Sequence, residues 1–300
     1  MKTFDDTRVW FITGANSGLG LALLKSVLAS GERAIAAVRK PDTLSDLIQD
    51  HPRTQLLVQQ LDVTDASQIA EAFRAAEKHF HRLDVVVNNA GYAIVGEIEA
   101  IPEDEARLEI ETLFWGPVHI TKQAIRFFRE VNPPGHGGRI LNVTSIGGYS
   151  GSAALAYYTA GKFALEGFTD AFVREMPPEW NIKGVIVEPG GFDTNWASAS
   201  TIVPPHPAYN TETSPSGQSR TLLQTCPRIG DINRAARAMI RIASVPDPPL
   251  RLTLGSDAWA IVESAAKRTL REAGKWKELS LSTDLDGVPS DYMEKLQMLL

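Results

Sequence analysis

An open, doubly wound α/β sheet with helices on both faces is the fold this sequence predicts, and three observations predict it. Short apolar runs of strand length alternate with segments of helical periodicity through the first half of the chain. A glycine-rich turn stands directly between the first such run and the first such helix. Small and polar residues then follow the ends of later strands, where the ligands of parallel sheets are held.

The elements follow in order. Val9-Trp-Phe-Ile-Thr13 reads as a buried strand, and Leu19 to Ala29 as a helix with Gly31 at its C-terminal cap. Ala34 to Val38 and Gln55 to Leu61 are the second and third strands. Asp65 is an N-cap with Gln68 three residues on, and Ile69, Phe73, Ala76 and Phe80 recur behind it at helical spacing. Asp84-Val-Val-Val87, Arg139 to Val143 and Lys183 to Val187 are the fourth, fifth and sixth strands. Between the fourth and fifth, Pro102 opens a long helical region whose first turn holds Glu103, Asp104 and Glu105. Carboxylates there suit the positive end of a helix, so they read as helix-terminal charge and not as a catalytic pair. Right-handed crossovers between these units give the doubly wound sheet.

Residues 196 to 228 break the alternation. Pro204, Pro205, Pro207, Pro215 and Gly217 among many Ser and Thr mark a long irregular segment, expected to be a mobile substrate lid or, alternatively, disordered. Helix returns from Asp231 to Ala243, Leu250-Arg-Leu-Thr-Leu254 is a last strand, and Asp257 to Glu272 a further helix. Ser280 to Leu300 fits no one element, and no internal repeat is present.

Three hundred residues, 43% of them apolar, can bury the core of one large α/β domain or of two small ones. A net charge of −6 and a pI near 5.6 argue against a nucleic-acid surface. A single cysteine, Cys226, excludes an intramolecular disulfide framework and a cysteine-based zinc site; it is expected to be an ordinary thiol in a loop. His51, His79, His81, His119, His136 and His206 show no metal-ligand spacing, so no metal is expected. No apolar leader and no run of about 18 apolar residues is present. The expectation is a cytoplasmic protein with no membrane span.

Thr13-Gly14-Ala15-Asn16-Ser17-Gly18-Leu19-Gly20 joins the first strand to the first helix. Gly14 permits a tight turn, Gly18 a close approach of backbone to a pyrophosphate, and Gly20 close packing of helix on sheet. The helix N-terminus adds N–H groups and partial positive charge. The spacing is not that of an ATP P-loop. After the second strand stand Arg39 and Lys40 with no acid at the strand end. An acid there would accept from a ribose 2′-OH, whereas Arg39 can meet a 2′-phosphate bidentately, which predicts NADP(H) over NAD(H). Asp62, with Val63 beside it, can accept from the adenine amine. Asn89, Ala90 and Gly91 let the chain pass close to adenosine, with the Asn amides tying neighbouring loops together. The backbone of Pro189-Gly190-Gly191-Phe192, with Thr194, can bind a nicotinamide carboxamide.

Tyr158 and Lys162 stand four apart, one helical face, with Ser145 thirteen residues upstream. A phenol has a pKa of about 10, a neighbouring ammonium lowers it, and a phenol so tuned exchanges a proton with an alcohol oxygen that Ser145 can hold.

With TGANSGLG, Asp62, NNAG, Ser145, Tyr158-x-x-x-Lys162 and PGGFDT, the chain resembles the short-chain dehydrogenase/reductase family over roughly residues 8 to 195, and more closely its retinol/steroid dehydrogenase-like branch and fungal relatives. The resemblance implies a single Rossmann-type domain binding NAD or NADP. It implies catalytic Ser145 and Tyr158, with Lys162 holding the nicotinamide ribose and lowering the tyrosine pKa. It also implies alcohol–ketone interconversion and a dimer or tetramer. The core would then run over about 8–195, the lid over 196–228, and the last helices and strand over 229–300.

One position departs from the family pattern. In Glu111-Thr-Leu113-Phe-Trp-Gly116, Leu113 stands where the family usually carries an Asn that positions a water linking the lysine to solvent. Leucine has no hydrogen-bonding group. Either backbone carbonyls and other waters maintain proton supply at some loss of rate, or redox turnover is slow or absent and the site serves another use. His119, six residues on, is not on the same helical face.

The expected function is therefore NADPH-dependent interconversion of a carbonyl and an alcohol. Trp196 and the proline-rich lid point to a medium-sized, partly apolar substrate. The alternatives are a non-redox step (isomerisation, dehydration or cyclisation) and a nucleotide-binding scaffold.

Overall fold

The computed structural model describes residues 7–194, 200–209, 213–289 and 291–297. Trp196, assigned to the substrate, lies outside them. Among the described residues the strands are β1 (Val9–Thr13), β2 (Arg33–Val38), β3 (Leu56–Gln60), β4 (Val85–Asn88), β5 (Ile94–Val95), β6 (Gly138–Val143), β7 (Ile182–Pro189), β8 (Thr201–Ile202) and β9 (Arg251–Leu254). Seven of them form one sheet in the order β3-β2-β1-β4-β6-β7-β9, every pair parallel. The chain winds outward from β1 to β3, returns to β4, and winds outward again. The switch point lies between β1 and β4, where a doubly wound sheet opens a crevice at its C-terminal edge.

Alternation of side chains places this sheet between two cores. Trp10 and Ile12 of β1 pack with Leu23, Leu24 and Val27 of α1 (Gly18–Ala29) on one face. Val9 and Phe11 pack on the other face with Phe73 of α3 (Ala66–Phe80), which follows the short α2 (Ser45–Asp50) in the chain. Phe11 stacks on Phe73 with centroids 4.9 Å apart. Two buried faces explain why the strands read as unbroken apolar runs. The predicted caps also form. Asp65 accepts from the backbone N–H groups of Ser67 and Gln68, and Gly31, at φ +77°, takes the left-handed turn that releases the chain from α1.

The predicted long helix after Pro102 is α4 (Glu103–Ile110), a π-helical turn over Glu111–Trp115, and α5 (Gly116–Glu130). Pro117 has no N–H to donate to the carbonyl of Leu113, so the i→i−4 ladder fails there and the turn widens. Leu113 lies within that turn.

The described part of 196–228 is more regular than its composition suggests. From Thr201, β8 pairs parallel with β5. Beyond a short 3₁₀ turn, Ser214 caps α7 (Pro215–Thr225) by accepting from Gly217 N–H. Serine followed by proline is a helix start, masked in the sequence by the surrounding prolines. Arg220 of α7 donates to both carboxylate oxygens of Glu97, at 3.0 and 2.7 Å, and to the Val203 carbonyl. Cys226 is exposed at the end of α7. Then follow α8 (Ile232–Ile242), capped by Asp231, and α9 (Ser256–Lys275), either side of β9. Two short helices, α10 (Lys277–Leu281) and α11 (Tyr292–Gln297), complete the described chain. None of the described helices is long and apolar enough to cross a membrane.

Candidate active site

A cleft of about 1080 Å³ lies along the C-terminal edge of the sheet. At one end is the turn from β1 into α1. Gly14 and Gly18 have φ of +62° and +51°, which only glycine adopts without strain, and a β-carbon on Gly14 would lie 2.9 Å from Ala90 Cα. The Ser17 side chain does not cap α1, which leaves the first-turn N–H groups directed at the cleft without a side-chain acceptor. A β-carbon on Gly18 would point at Thr194, 3.3 Å away, so the glycine holds open a narrow gap between the two loops. Gly20 alone of the predicted set is not in the cleft wall; a β-carbon there would collide with the Asn89 amide and the Gly14 carbonyl. The predicted loop-tying by asparagine takes this form: Asn89 Nδ2 donates to Thr13 O at 3.0 Å, and Thr13 Oγ1 accepts from the N–H groups of Asn89 and Ala90.

Asn16, Ser17, Leu19, Arg39, Asp62, Val63, Gly91, Pro189, Gly190 and Phe192 line the same cleft. Arg39 is exposed just past β2. Asp62 is fixed by Thr64, whose N–H and hydroxyl both donate to its Oδ1. A cradle with open first-turn N–H groups, a guanidinium beyond β2 and a carboxylate beyond β3 fits a dinucleotide.

At the other end, Ser145 leaves β6 in an extended conformation and accepts from Gly147 N–H at 3.1 Å. Tyr158 and Lys162 lie on one face of α6 (Ala156–Glu175), both buried. The Ser145 and Tyr158 hydroxyls are hydrogen-bonded. Lys162 Nζ donates to the Val143 carbonyl at 2.8 Å and lies 5.7 Å from the Tyr158 ring centroid.

The net shift of the tyrosine is upward and not the lowering expected: burial pushes the Tyr158 phenol up to about 12, against the pull of the Ser145 hydrogen bond. Burial likewise brings Lys162 down to about 8, although the carboxylates of Glu166 and Glu109 favour its charge. Deeper along α6, Arg251 bridges the carboxylates of Glu166 and Glu188 and so ties α6 to β7 and β9.

Leu113 is fully buried beneath Gly91 and Gly161, where a β-carbon would lie 2.9 Å from its Cδ2 and 3.0 Å from its Cβ respectively. It packs with Ala93, Val95, Ala154, Leu155 and Tyr158, and Leu223 of α7 closes over this cluster. His119 stacks toward Trp115, away from the cleft wall. Four groups escaped the sequence: Leu223 and Arg228 on the cleft wall, Tyr92 beside them in the lining, and Glu109, wholly buried on α4. For Glu109 a signal existed: it lies between Ala106 and Leu113 at helical spacing, a carboxylate on an otherwise apolar face.

The chain is similar to known proteins along almost its whole length. The sequence profile of the short chain dehydrogenase family matches residues 8–202. An uncharacterised oxidoreductase of Schizosaccharomyces pombe is 38% identical over 289 residues, 95% of each chain. A short-chain dehydrogenase from Streptomyces avermitilis superposes with a TM-score of 0.85 at 33% identity, covering 93% of this chain and 99% of its own. A short chain dehydrogenase from Burkholderia cenocepacia, solved in complex with NADP, superposes at 0.68 with 23% identity, 90% of this chain and 97% of its own.

Proposed function

The chain belongs to the short-chain dehydrogenase family of oxidoreductases, and from that premise we propose that it uses NADPH to interconvert a ketone or aldehyde with the corresponding alcohol. The observation that carries the proposal is the hydrogen-bonded Ser145–Tyr158 pair, with buried Lys162 one turn on, facing the cleft whose far end is the glycine cradle. NADPH, when bound, supplies the hydride that the carbonyl carbon receives. Ser145 donates to the carbonyl oxygen and orients it. Tyr158, kept protonated by its buried position, gives its proton to that oxygen as the C=O π pair moves onto oxygen and forms the new O–H bond. Lys162, anchored on the Val143 carbonyl, presents its ammonium to the cofactor side. Arg39 supports the choice of NADPH over NADH, and the NADP complex of the Burkholderia neighbour is in keeping with it. Leu155, Ile94 and Leu223 at the cleft wall support a partly apolar substrate. A cytoplasmic homo-oligomer belongs to the same reading, with light scattering as its check.

The test is NADPH oxidation against a panel of ketones. Tyr158→Phe should lower kcat by about 10²–10⁴ while dinucleotide binding persists; equal rates would end the mechanism. Buried, apolar Leu113 favours a second reading, a non-redox rearrangement, which predicts product without stoichiometric NADPH consumption.

A further inference from the structure

Reduction leaves Tyr158 as a phenolate, and each turnover requires a proton from water to reach a residue only 8% exposed. Leu113 cannot conduct it. One turn earlier on α4, Glu109 is 0% exposed. Its Oε1 accepts from Ile94 N–H at 2.9 Å, and its Oε2 has no hydrogen-bond partner. Its charge acts on Lys162 and Tyr158 of α6 and on Tyr92 of the loop between β4 and β5. Tyr92 and Thr112 are both half-buried in the cleft wall, so hydroxyls in touch with water stand within the field of the carboxyl.

Resting on the reductase reading, we propose that Glu109 is the positioning residue that returns a solvent proton to Tyr158, by way of Lys162, taking over the task for which Leu113 has no polar group. The steps balance. Tyr158 O–H breaks as the alcohol O–H forms. The phenolate regains its proton from the Lys162 ammonium over an intervening hydroxyl or water. Lys162 is reprotonated from the Glu109 carboxyl over a bridging water, since the two form no direct ion pair, and the Glu109 carboxylate takes a proton from solvent by the same means. One proton enters per carbonyl reduced. Burial, opposed by the Ile94 N–H and by Lys162, raises Glu109 to about 7, close enough to Lys162 at about 8 for transfer in either direction. A carboxyl that served only to hold Ile94 N–H would need one acceptor oxygen and no proton.

Glu109→Gln keeps that acceptor and the shape but cannot carry a proton. In the cofactor-free protein, carbon-13 NMR of labelled glutamate should show a carboxyl titrating near pH 7 that is absent from Glu109→Gln. Titration in the ordinary carboxylate range would overturn the proposal. With NADPH and ketone, Glu109→Gln should lower kcat at least about tenfold with both KM values within about twofold. The fall in wild-type rate above about pH 7 should vanish in the variant. Leu113→Asn placed in the Glu109→Gln background should recover turnover by an independent route. Unchanged kcat and pH profile in a folded Glu109→Gln protein would sink the inference while leaving the reductase intact. A wild type that reduces no ketone would sink the reductase reading, and the relay with it.

Discussion

Arg39 and Glu109 show two ways in which single charges shape this site. Arg39 is exposed and addresses a ligand. Its planar fork suits a phosphate, so Arg39→Ala should weaken NADPH binding by about tenfold or more and leave NADH affinity nearly unchanged, as read by fluorescence titration. Equal loss for both dinucleotides would remove the 2′-phosphate from the argument. Glu109 is buried and addresses its neighbours. Its folded pKa of about 7 lies above the ordinary carboxyl value of 4.5, so between those values the folded state binds more protons than the unfolded. The stability this contributes is complete below about pH 4.5 and is lost as pH rises through about 7. Urea midpoints measured on either side of that window should fall with pH in the wild type and fall less in Glu109→Gln. Both variants should be compared at constant ionic strength, because the exposed charges titrate in both.

Among the elements, α7 is moored through a buried ion pair. Glu97 is 4% exposed, and Arg220 holds its carboxyl down at about 2. Arg220→Ala leaves that carboxylate buried without its cation, which destabilises a docked element far more than loss of a surface pair would. Limited proteolysis between 200 and 228 should quicken by at least about tenfold, with the melting temperature of the sheet little changed. The strands and caps of the sheet were legible because each rests on local rules: unbroken apolar runs, Asp65 before a helix, Gly31 after one. The cradle was legible for the same reason, since Gly14, Gly18 and Gly20 answer steric demands of one turn. Features set by contacts between distant segments were not. Lys162 reaches Val143 instead of the Tyr158 oxygen because β6 runs beneath α6, which no spacing within Tyr158–Lys162 reports. Pro117 did carry the signal for the π turn, and Ser214–Pro215 the signal for α7, but each was hidden in a longer pattern.

At the scale of the whole molecule, the two ends of the cleft are built from one stretch of chain. The segment leaving β4 lines the cradle end of the cleft at Asn89–Gly91, supplies the Ile94 N–H that Glu109 accepts, and ends at Glu97, where α7 is moored. Between them, β5 lends its backbone to β8: Ala93 O accepts from Thr201 N–H, and Val95 O from Val203 N–H, both at 2.9 Å. On the proposed function, a dinucleotide in the cradle would lie against the wall to which α7 is moored, and compulsory order is the expected outcome: dinucleotide on first and off last. An unreactive alcohol analogue should then inhibit uncompetitively against NADPH and competitively against the ketone, a pattern that random addition does not give.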